Sequence, residues 1–371
     1  MSETRLTRIG RVRERLAEME VDAVLLSIGT DMPWCTGYEA MPSERPTVLV
    51  IPRDEGATLV IPELEAPRVR QDPQLFSLRP WGEREDAIEV VASLLGPRRR
   101  IAIYDRTWAA VVIGLQRSIP GAALSRGSEV MAPLREVKDE AEIAALCAAG
   151  QAADAVSVSL LGGEIALIGR TERDVSREIA DRLIAAGHGH VGNPIVASGP
   201  NSASPHHTAG DRTISAGEPV VCDFGGSLSL GSGGGYWSDT TRTVCTGTPS
   251  EELKEVYEVV RDANQQALSA VHAGVPCQEI DRAARGAIEA AGYGKFFIHR
   301  TGHGIGMDGH EDPYIIEGNA SLLKAGNAFS IEPGIYLPGR MGVRIEDIVL
   351  LDGDEVVCCN VADRALHIVE A

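Results

Sequence analysis

The chain has 371 residues, of which 44% are apolar, and its 35 basic and 53 acidic side chains give a net charge of −18. This length predicts two or three domains with cores large enough to need no disulfides. An acidic chain repels phosphate groups, and its one short basic run covers residues 98–100. We therefore expect neither nucleic acid nor an anionic membrane surface as a partner.

The seven cysteines are odd in number and show no Cys-x-x-Cys spacing, which argues against a disulfide framework or a zinc knuckle. The first 19 residues interleave charged and apolar side chains, unlike a signal peptide. No uncharged apolar run approaches the roughly 18 residues that a membrane span needs. These features predict a cytoplasmic protein that spans no membrane.

Hydrophobic periodicity in the first 130 residues predicts a small α/β domain. Apolar residues recur every three or four positions near the start, as in an amphipathic helix. Two β-branched runs flank the turn Arg53-Asp54-Glu55-Gly56, which is typical of a hairpin. The predicted elements are a helix over residues 6–19, strands over 23–26, 47–52 and 57–62, a helix over 86–95 and a strand over 100–105.

Pro133 interrupts the pattern, and we place a domain boundary there, between domains of residues 1–132 and 133–371. The second domain begins with a long helix whose first turn is acidic. Its predicted helices cover residues 139–161, 172–186, 251–273 and 278–291, and its strands concentrate in residues 194–244 and from 328 onward. Because helices and strands are segregated along the chain, the predicted fold class is α+β.

The most informative stretch is VVCDFGGSLSLGSGGGYWSDTTRTV, in which an apolar run ends at Asp223 and Asp239 opens a Thr-rich strand. We interpret it as a hairpin with one carboxylate on each arm. A buried Asp is costly unless it is paired or binds a metal, and the alternative is an Asx turn after a strand. The Gly-rich connection lacks the GK[ST] of a phosphate-binding loop, so it gives little support to a nucleotide site.

Two further carboxylates lie near the C-terminus. Glu332 ends the run AFSIE, and residues 342–350 (GVRIEDIVL) predict one continuous strand. On that strand Arg344 and Glu346 share a face that Ile348 continues, which would turn Glu346 inward. The alternative is an ordinary Arg–Glu ion pair on the face of a strand.

The segment TGHGIGMDGHEDP places His303 among glycines, with His310 seven positions later. The glycines match GxGxxG by letter, but a dinucleotide site needs that loop to open a helix, and Pro313 interrupts any helix here. They instead let the backbone approach a ligand closely around one imidazole, although a lone His is more often structural. His206 and His207 follow another loop of small polar residues.

Together these segments supply four carboxylates and one imidazole, from Asp223, Asp239, Glu332, Glu346 and His303. Two divalent ions would balance the four negative charges and so permit burial of all four acids. The absence of thiolate from this set argues against structural zinc and predicts Mn²⁺, with Co²⁺ or Zn²⁺ as alternatives. Two such ions activate water and polarise a carbonyl, so the set points to hydrolysis.

The chain resembles the pita-bread metallopeptidases, the family of methionine aminopeptidase, aminopeptidase P and prolidase. The resemblance rests on five ordered motifs over residues 135–348, which are VVCDFGG, GYWSDTTRT, TGHGIGMDGHEDP, SIEPG and VRIED. It implies a C-terminal pita-bread catalytic domain. The N-terminal part resembles the creatinase-type α/β domain that prolidase-like members add.

The resemblance also implies a role for each matching residue. Asp223 would bind one metal ion, Asp239 and Glu346 would bridge both ions, and His303 with Glu332 would complete the second. Glu332 would also shuttle a proton, with a hydroxide that bridges the metals as the nucleophile. Three more residues would complete the site, with His206 and His310 acting at the substrate carbonyl and the leaving group and Arg344 steadying Glu346 or the substrate.

The implied reaction is hydrolysis of Xaa-Pro bonds by a homodimeric enzyme. The modest length favours a dipeptidase, and the runner-up is an aminopeptidase P that acts on longer peptides. A metal-free hydrolase resembling creatinase and a non-catalytic binding protein are the remaining interpretations. Retention of all five ligand types argues against both.

One departure from the family is the longer connection between Asp223 and Asp239, with extra Gly and Ser in residues 227–235, which leaves the role of Tyr236 open. A dipeptidase must also recognise both charged ends of its substrate. We expect the N-terminal domain to close the groove, with Asp31 as a partner for the ammonium unless it is an acid of a surface turn. The carboxylate would face His206, His310 or Arg344.

Overall fold

A computed structural model of the protein describes residues 2–54, 56–229 and 234–370. The described residues form two compact units, the first ending at Arg135 and the second containing most residues from Glu136 onward. The boundary between residues 132 and 133 stays a prediction. Pro133 does not interrupt the structure, because it lies inside a helix that runs from Ser128 to Arg135.

The first unit contains five helices and a six-stranded sheet in its described part. The helices are α1 (Ser2–Glu18), α2 (Asp31–Thr36), α3 (Ala87–Leu95), α4 (Ala109–Ser118) and α5 (Ser128–Arg135). The strands are β1 (Ala23–Leu26), β2 (Val48–Pro52), β3 (Ala57–Pro62), β4 (Phe76–Trp81), β5 (Arg100–Ile103) and β6 (Ala123–Arg126). Their order is β4-β3-β2-β1-β5-β6.

The predicted hairpin is confirmed as the antiparallel pair β2 and β3, with Val48 opposite Val60. Glu55 of its turn lies outside the described residues. Strands β1 and β2 are buried at every position, which explains why their sequences are continuous apolar runs rather than alternating ones.

Asp31 lies in helix α2 rather than in a loop. It is 3% exposed, and its Oδ1 accepts a hydrogen bond of 2.6 Å from Nη1 of Arg135. The helix ends at Thr36 and is capped by Gly37, whose positive φ of 74° glycine adopts without strain. Asp31 is therefore a buried acid paired with Arg135 rather than an acid of a surface turn, and its contact with a substrate ammonium stays a prediction.

The second unit has the segregated arrangement of an α+β fold. Its helices are α6 (Glu140–Leu161), α7 (Glu172–Ala185), α8 (Glu251–Ser269) and α9 (Cys277–Ala290). Its strands are β7 (His190–Val191), β8 (Ile195–Ser198), β9 (Pro219–Phe224), β10 (Gly226–Leu228), β11 (Tyr236–Trp237), β12 (Thr240–Thr246), β13 (Gly302–Gly304), β14 (Glu311–Ile315), β15 (Ala328–Ile331), β16 (Gly334–Leu337), β17 (Met341–Arg344), β18 (Asp347–Asp352), β19 (Glu355–Cys358) and β20 (Ile368–Val369).

Two pairs of helices cover the sheets of this unit. Helices α6 and α7 share a buried apolar cluster with strands β8, β9 and β12 of the sheet β20-β12-β9-β8. Helices α8 and α9 share another with strands of the sheet β14-β13-β15-β18-β19 and with the pair β16-β17. The two helix pairs thus pack on different sheets.

The prediction of one continuous strand over residues 342–350 is wrong. Strand β17 ends at Arg344 and β18 begins at Asp347, and the two belong to different sheets. Glu346 lies in the break, where its backbone forms a bridge to Thr241 of β12. The chain changes sheets here because the backbone of Glu346 pairs with β12, a partner that the local sequence does not reveal.

Among the described helices, α6 is long and apolar enough to cross a membrane, with a mean hydropathy of 1.5 in its most apolar window. However, 50% of that window is buried inside the unit. Asp139 and Glu142 form a capping box at its start, and Leu146 and Leu160 belong to the core. These contacts are those of a core helix.

Candidate metal centre

A cavity of about 620 Å³ in the second unit collects the predicted site residues. Its lining includes Asp223, Asp239, His303, Glu332, Glu346, His206, His310 and Arg344, together with His299 and Arg300. These residues come from segments far apart in the sequence. The structure therefore brings together all eight residues predicted as metal ligands or as catalytic groups.

The two aspartates enter the cavity from neighbouring strands. Asp223 lies on β9 and Asp239 immediately precedes β12, and these strands are antiparallel with Thr241 opposite Asp223. The predicted hairpin with one carboxylate on each arm is thus confirmed. Gly225 lies where the arms meet, and a Cβ there would clash with the carbonyl oxygen of Ser238.

His303 is held in one orientation by its own strand. Its Nδ1 lies 3.0 Å from the carbonyl oxygen of Gly304, which can only accept, so Nδ1 carries the proton and Nε2 presents a lone pair. Nε2 is 3.4 Å from Oε1 of Glu332. A Cβ at Gly302 would clash with the carbonyl of Ser330, so the adjacent backbone can approach only because this residue is glycine.

The two glutamates are positioned by hydroxyl groups. Glu332 directly follows β15, and its Oε1 accepts a hydrogen bond of 3.1 Å from Ser330 Oγ. Glu346 is 2% exposed, and its Oε2 accepts a hydrogen bond of 2.7 Å from Thr241 Oγ1. Both residues line the cavity.

The donor atoms form overlapping groups within 4.8 Å. One group is Asp223, Asp239 and Glu346, and another is His303, Glu332 and Glu346. Glu346 therefore belongs to both groups, as a ligand that bridges two ions must. A third group joins Asp239 and His303 to His310.

The electrostatics of the cluster fit divalent cations. Burial, followed by repulsion from neighbouring carboxylates, raises the pKa of Asp239 and Glu346 well above their ordinary values. Burial likewise raises the pKa of Glu332 to about 7 and lowers that of His303 to about 3. A dication would bind the ionised acids and the neutral imidazole and would offset this repulsion. The donor set thus fits two such ions.

Arg344 is a buried neighbour of the acids. Its Nη2 donates to Oδ2 of Asp223 at 2.6 Å, and its Nε donates to Thr241 Oγ1 at 3.1 Å. Its direct carboxylate partner is Asp223, and Thr241 Oγ1 links it to Oε2 of Glu346, so its predicted role of steadying Glu346 or the substrate stays a prediction. Although burial opposes it, the phenol of Tyr336 and the surrounding carboxylates raise the pKa of Arg344 well above its ordinary value.

Two residues beside Arg344 were not predicted from the sequence. Tyr336 accepts a hydrogen bond of 2.8 Å from Arg344 Nη1, and its hydroxyl lies 2.8 Å from Nε2 of His299. Nδ1 of His299 faces the carbonyl oxygen of Arg300, so Nε2 accepts the tyrosine proton. Burial lowers the pKa of His299 to about 4. A signal was available, because His299 precedes His303 by four residues in the same segment.

His206 and His310 are the exposed members of the set. The ring of His310 stacks on that of His303 with centroids 3.7 Å apart. Arg300 donates to Nδ1 of His310 at 3.2 Å, which places the proton of the neutral ring on Nε2. Burial, reinforced by the charge of Arg300, lowers the pKa of His310.

The long connection between the aspartates is only partly described. Residues 230–233 of the predicted 227–235 insertion lie outside the described residues. Tyr236 opens β11, and its hydroxyl donates a hydrogen bond of 2.6 Å to Oε1 of Glu142 at the start of α6. Within the described part, Tyr236 does not line the cavity.

Known proteins match both units of the chain. The model of metallopeptidase family M24 matches residues 141–352, and that of the creatinase/prolidase N-terminal domain matches residues 8–137. The chain is 38% identical over 357 residues to a probable dipeptidase PepE of Mycobacterium tuberculosis, covering 95% of this chain and 93% of that protein. It is 34% identical over 372 residues to an Xaa-Pro dipeptidase of Lactobacillus helveticus, covering 97% and 98%.

The structure is also similar to a solved one. The crystal structure of dipeptidase PepE from Mycobacterium ulcerans has a TM-score of 0.92 and 36% sequence identity, covering 99% of this chain and 98% of that chain. Every residue of the cavity falls inside the region matched by the catalytic family model.

Proposed function

This chain belongs to metallopeptidase family M24, and we propose on that basis that it hydrolyses the Xaa-Pro bond of dipeptides with two divalent metal ions. Membership confirms the predicted two-domain architecture and the assignment to metallopeptidases. The observation that carries the proposal is the membership of Glu346 in two adjoining groups of ligand atoms. The similarity to a probable dipeptidase and to an Xaa-Pro dipeptidase supports the substrate class.

The proposed ligand assignment follows those groups. Asp223 would hold one ion, His303 and Glu332 would hold the other, and Asp239 and Glu346 would serve both. When bound, the ions would polarise the scissile carbonyl and lower the pKa of an attacking water. Mn²⁺ is the proposed metal, with Co²⁺ or Zn²⁺ as alternatives, because carboxylates outnumber the single imidazole.

The remaining residues handle protons and orient the substrate. Glu332 takes the proton of the attacking water on a carboxylate oxygen and delivers it to the proline nitrogen that leaves. His310 donates a hydrogen bond from Nε2, and His206 acts beside it. One of these two histidines acts at the substrate carbonyl and the other at the leaving group. Arg344 donates a hydrogen bond of 2.6 Å to Asp223, which orients that carboxylate as a ligand.

Substrate length separates a dipeptidase from an aminopeptidase P. A dipeptidase site must pair the carboxylate of proline, and an unpaired charge buried in a closed site costs several kcal/mol. We expect kcat/KM for Ala-Pro to exceed that for Ala-Pro-Ala by at least about 100-fold. Equal rates on both peptides would assign the chain to the aminopeptidases and would leave the metal assignment standing.

The proposal includes a homodimer in the cytoplasm. None of the seven cysteines forms a disulfide in the described structure, as suits a reducing compartment. Light scattering of the purified protein tests the oligomeric state, with a mass of twice 39.5 kDa expected and 39.5 kDa contradicting it.

A further inference from the structure

Glu172 is a buried carboxylate that has no role in the proposed mechanism. It is the first residue of α7 and is 0% exposed. Its Oε1 accepts hydrogen bonds from the backbone nitrogen and Oγ of Ser198, at 2.8 and 2.7 Å, and from Asn201 Nδ2 at 3.0 Å. Its Oε2 accepts from His207 Nε2 at 2.7 Å and from the backbone nitrogen of Gly210 at 3.4 Å.

These donors lie at both ends of one segment, residues 198–210, which we call the His206 loop. Although burial raises it, the hydrogen bonds from Ser198 and His207 hold the pKa of Glu172 below its ordinary value. A buried ionised carboxylate needs such donors, because losing one leaves a charge without full solvation. The loop and the carboxylate therefore fix each other.

The loop presents its central residues to the cavity. His206 lines the cavity, and the carbonyl oxygen of Pro205 accepts a hydrogen bond of 3.3 Å from Arg344 Nη1. The next residue, His207, is only 20% exposed in its side chain and points its ring at Glu172. Two adjacent histidines thus have different surroundings, one at the cavity and one on a buried anchor.

We propose that His207, held by Glu172, is a positioning residue that fixes His206 against the substrate. The proposal rests on the proposed function, in which His206 contacts the substrate. A side chain that must meet a reacting group loses on the order of 100-fold in rate when it is displaced by about 1 Å. His207 contributes no reacting atom itself, since its Nε2 is occupied by the carboxylate.

The test replaces His207 with Leu, which lacks a donor, and with Gln, which retains one. We expect His207→Leu to lower kcat by about 10-fold to 100-fold with KM changed less than about 3-fold, while His207→Gln recovers most of the loss. Both variants should retain their metal content. His367→Leu is the matched control, because His367 also pairs with a carboxylate, Asp363 at 2.9 Å, but does not line the cavity.

Double variants separate positioning from general destabilisation. In a His206→Ala background the His207→Leu change should cost less than about 2-fold, because the residue it positions is gone. In a His310→Ala background, His207→Leu should lower kcat by the same factor as in the wild-type background. An equal loss in the wild-type and His206→Ala backgrounds, or loss of metal from His207→Leu, overturns the proposal. If His206→Ala alone left kcat unchanged, the proposed role of His206 would fail first, and the positioning role with it.

Discussion

Asp239 offers the most direct residue-scale test of the metal assignment, because its carboxylate lies in two groups of ligand atoms. Asn has the same shape but no charge, and its amide nitrogen cannot bind a cation. We expect Asp239→Asn to lose at least one ion and to lower kcat/KM by at least about 100-fold. Metal analysis and kinetics measure both. The control is Asp262→Asn, an exposed acid that does not line the cavity.

His206 and His310 should behave differently from Asp239. Changing either to Ala should lower kcat by roughly 10² to 10⁴, the range for a lost proton donor or electrostatic partner, while both ions are retained. The proximity of His310 to Asp239 and His303 makes this a sharp test. Loss of an ion from His310→Ala would make that residue a ligand, whereas the exposed His272 should tolerate Ala without effect.

All five expected metal ligands could be found from the sequence because each is an acid or imidazole in an apolar or Gly-rich setting. A carboxylate such as Asp223, at the end of a buried strand, needs a physical explanation wherever it occurs. Tyr336 carried no such signal, and His299 was marked only by its position four residues before His303. Their importance depends on contact with Arg344 and with each other, which only the folded chain creates.

At the scale of elements, Arg242 of β12 holds the break between β17 and β18. Its guanidinium donates to the carbonyl oxygen of Glu346 at 2.7 Å and to Oδ1 of Asp347 at 2.6 Å. The side chains of Arg242 and Asp347 are both 0% exposed. This one residue therefore supports the position of a proposed bridging ligand.

Arg242→Met should destabilise the protein by about 3–5 kcal/mol, because it leaves Asp347 buried with less of its charge balanced. Denaturant unfolding measures the change. Arg282→Met is the matched control, since Arg282 also pairs with a carboxylate, that of Glu317, but at the exposed surface. Arg282→Met should lower the free energy of unfolding by less than about 1 kcal/mol. Equal effects of the two changes would contradict the role given to Arg242.

Helices and buried strands were predicted where the local pattern determines them, as for β1 and for α6 with its Asp139 cap. The break at Glu346 could not be predicted, because GVRIEDIVL has the composition of one uninterrupted strand. Pairing with β12, a long-range contact, divides it between two sheets. The short helix α2 was missed for a similar reason, since tertiary burial rather than local periodicity stabilises six residues.

At the scale of the whole molecule, removal of metal should make stability depend on pH. The raised pKa values of Asp239, Glu332 and Glu346 mean that the folded chain binds more protons than the unfolded chain. Such a group stabilises the fold at low pH, and that stabilisation is lost as pH rises through the folded pKa. Above about pH 6.5 the ordinary histidine is mainly neutral, so the carboxylates dominate this dependence.

We therefore expect the free energy of unfolding of chelated protein to fall by at least about 1 kcal/mol between pH 6.5 and pH 8. The protein saturated with Mn²⁺ should lack this fall, because the bound ions keep the acids ionised in the folded state. Denaturant titrations with chelator and with metal measure the free energy of unfolding at each pH. The contributions of titratable groups elsewhere in the chain cancel in the difference between the two forms. Identical pH profiles for both forms would contradict a metal-binding role for these acids.

Gly302 and Gly304 have a consequence for how this enzyme can change. Neither position has room for a Cβ, since the neighbouring carbonyl oxygen atoms of Ser330 and Asp312 occupy that space. A saturation library across this strand should therefore return glycine alone on both sides of His303. Variants with a different metal preference therefore cannot arise by substitution at these two glycines. They must instead carry changes in the carboxylates or in the loop that contains His206.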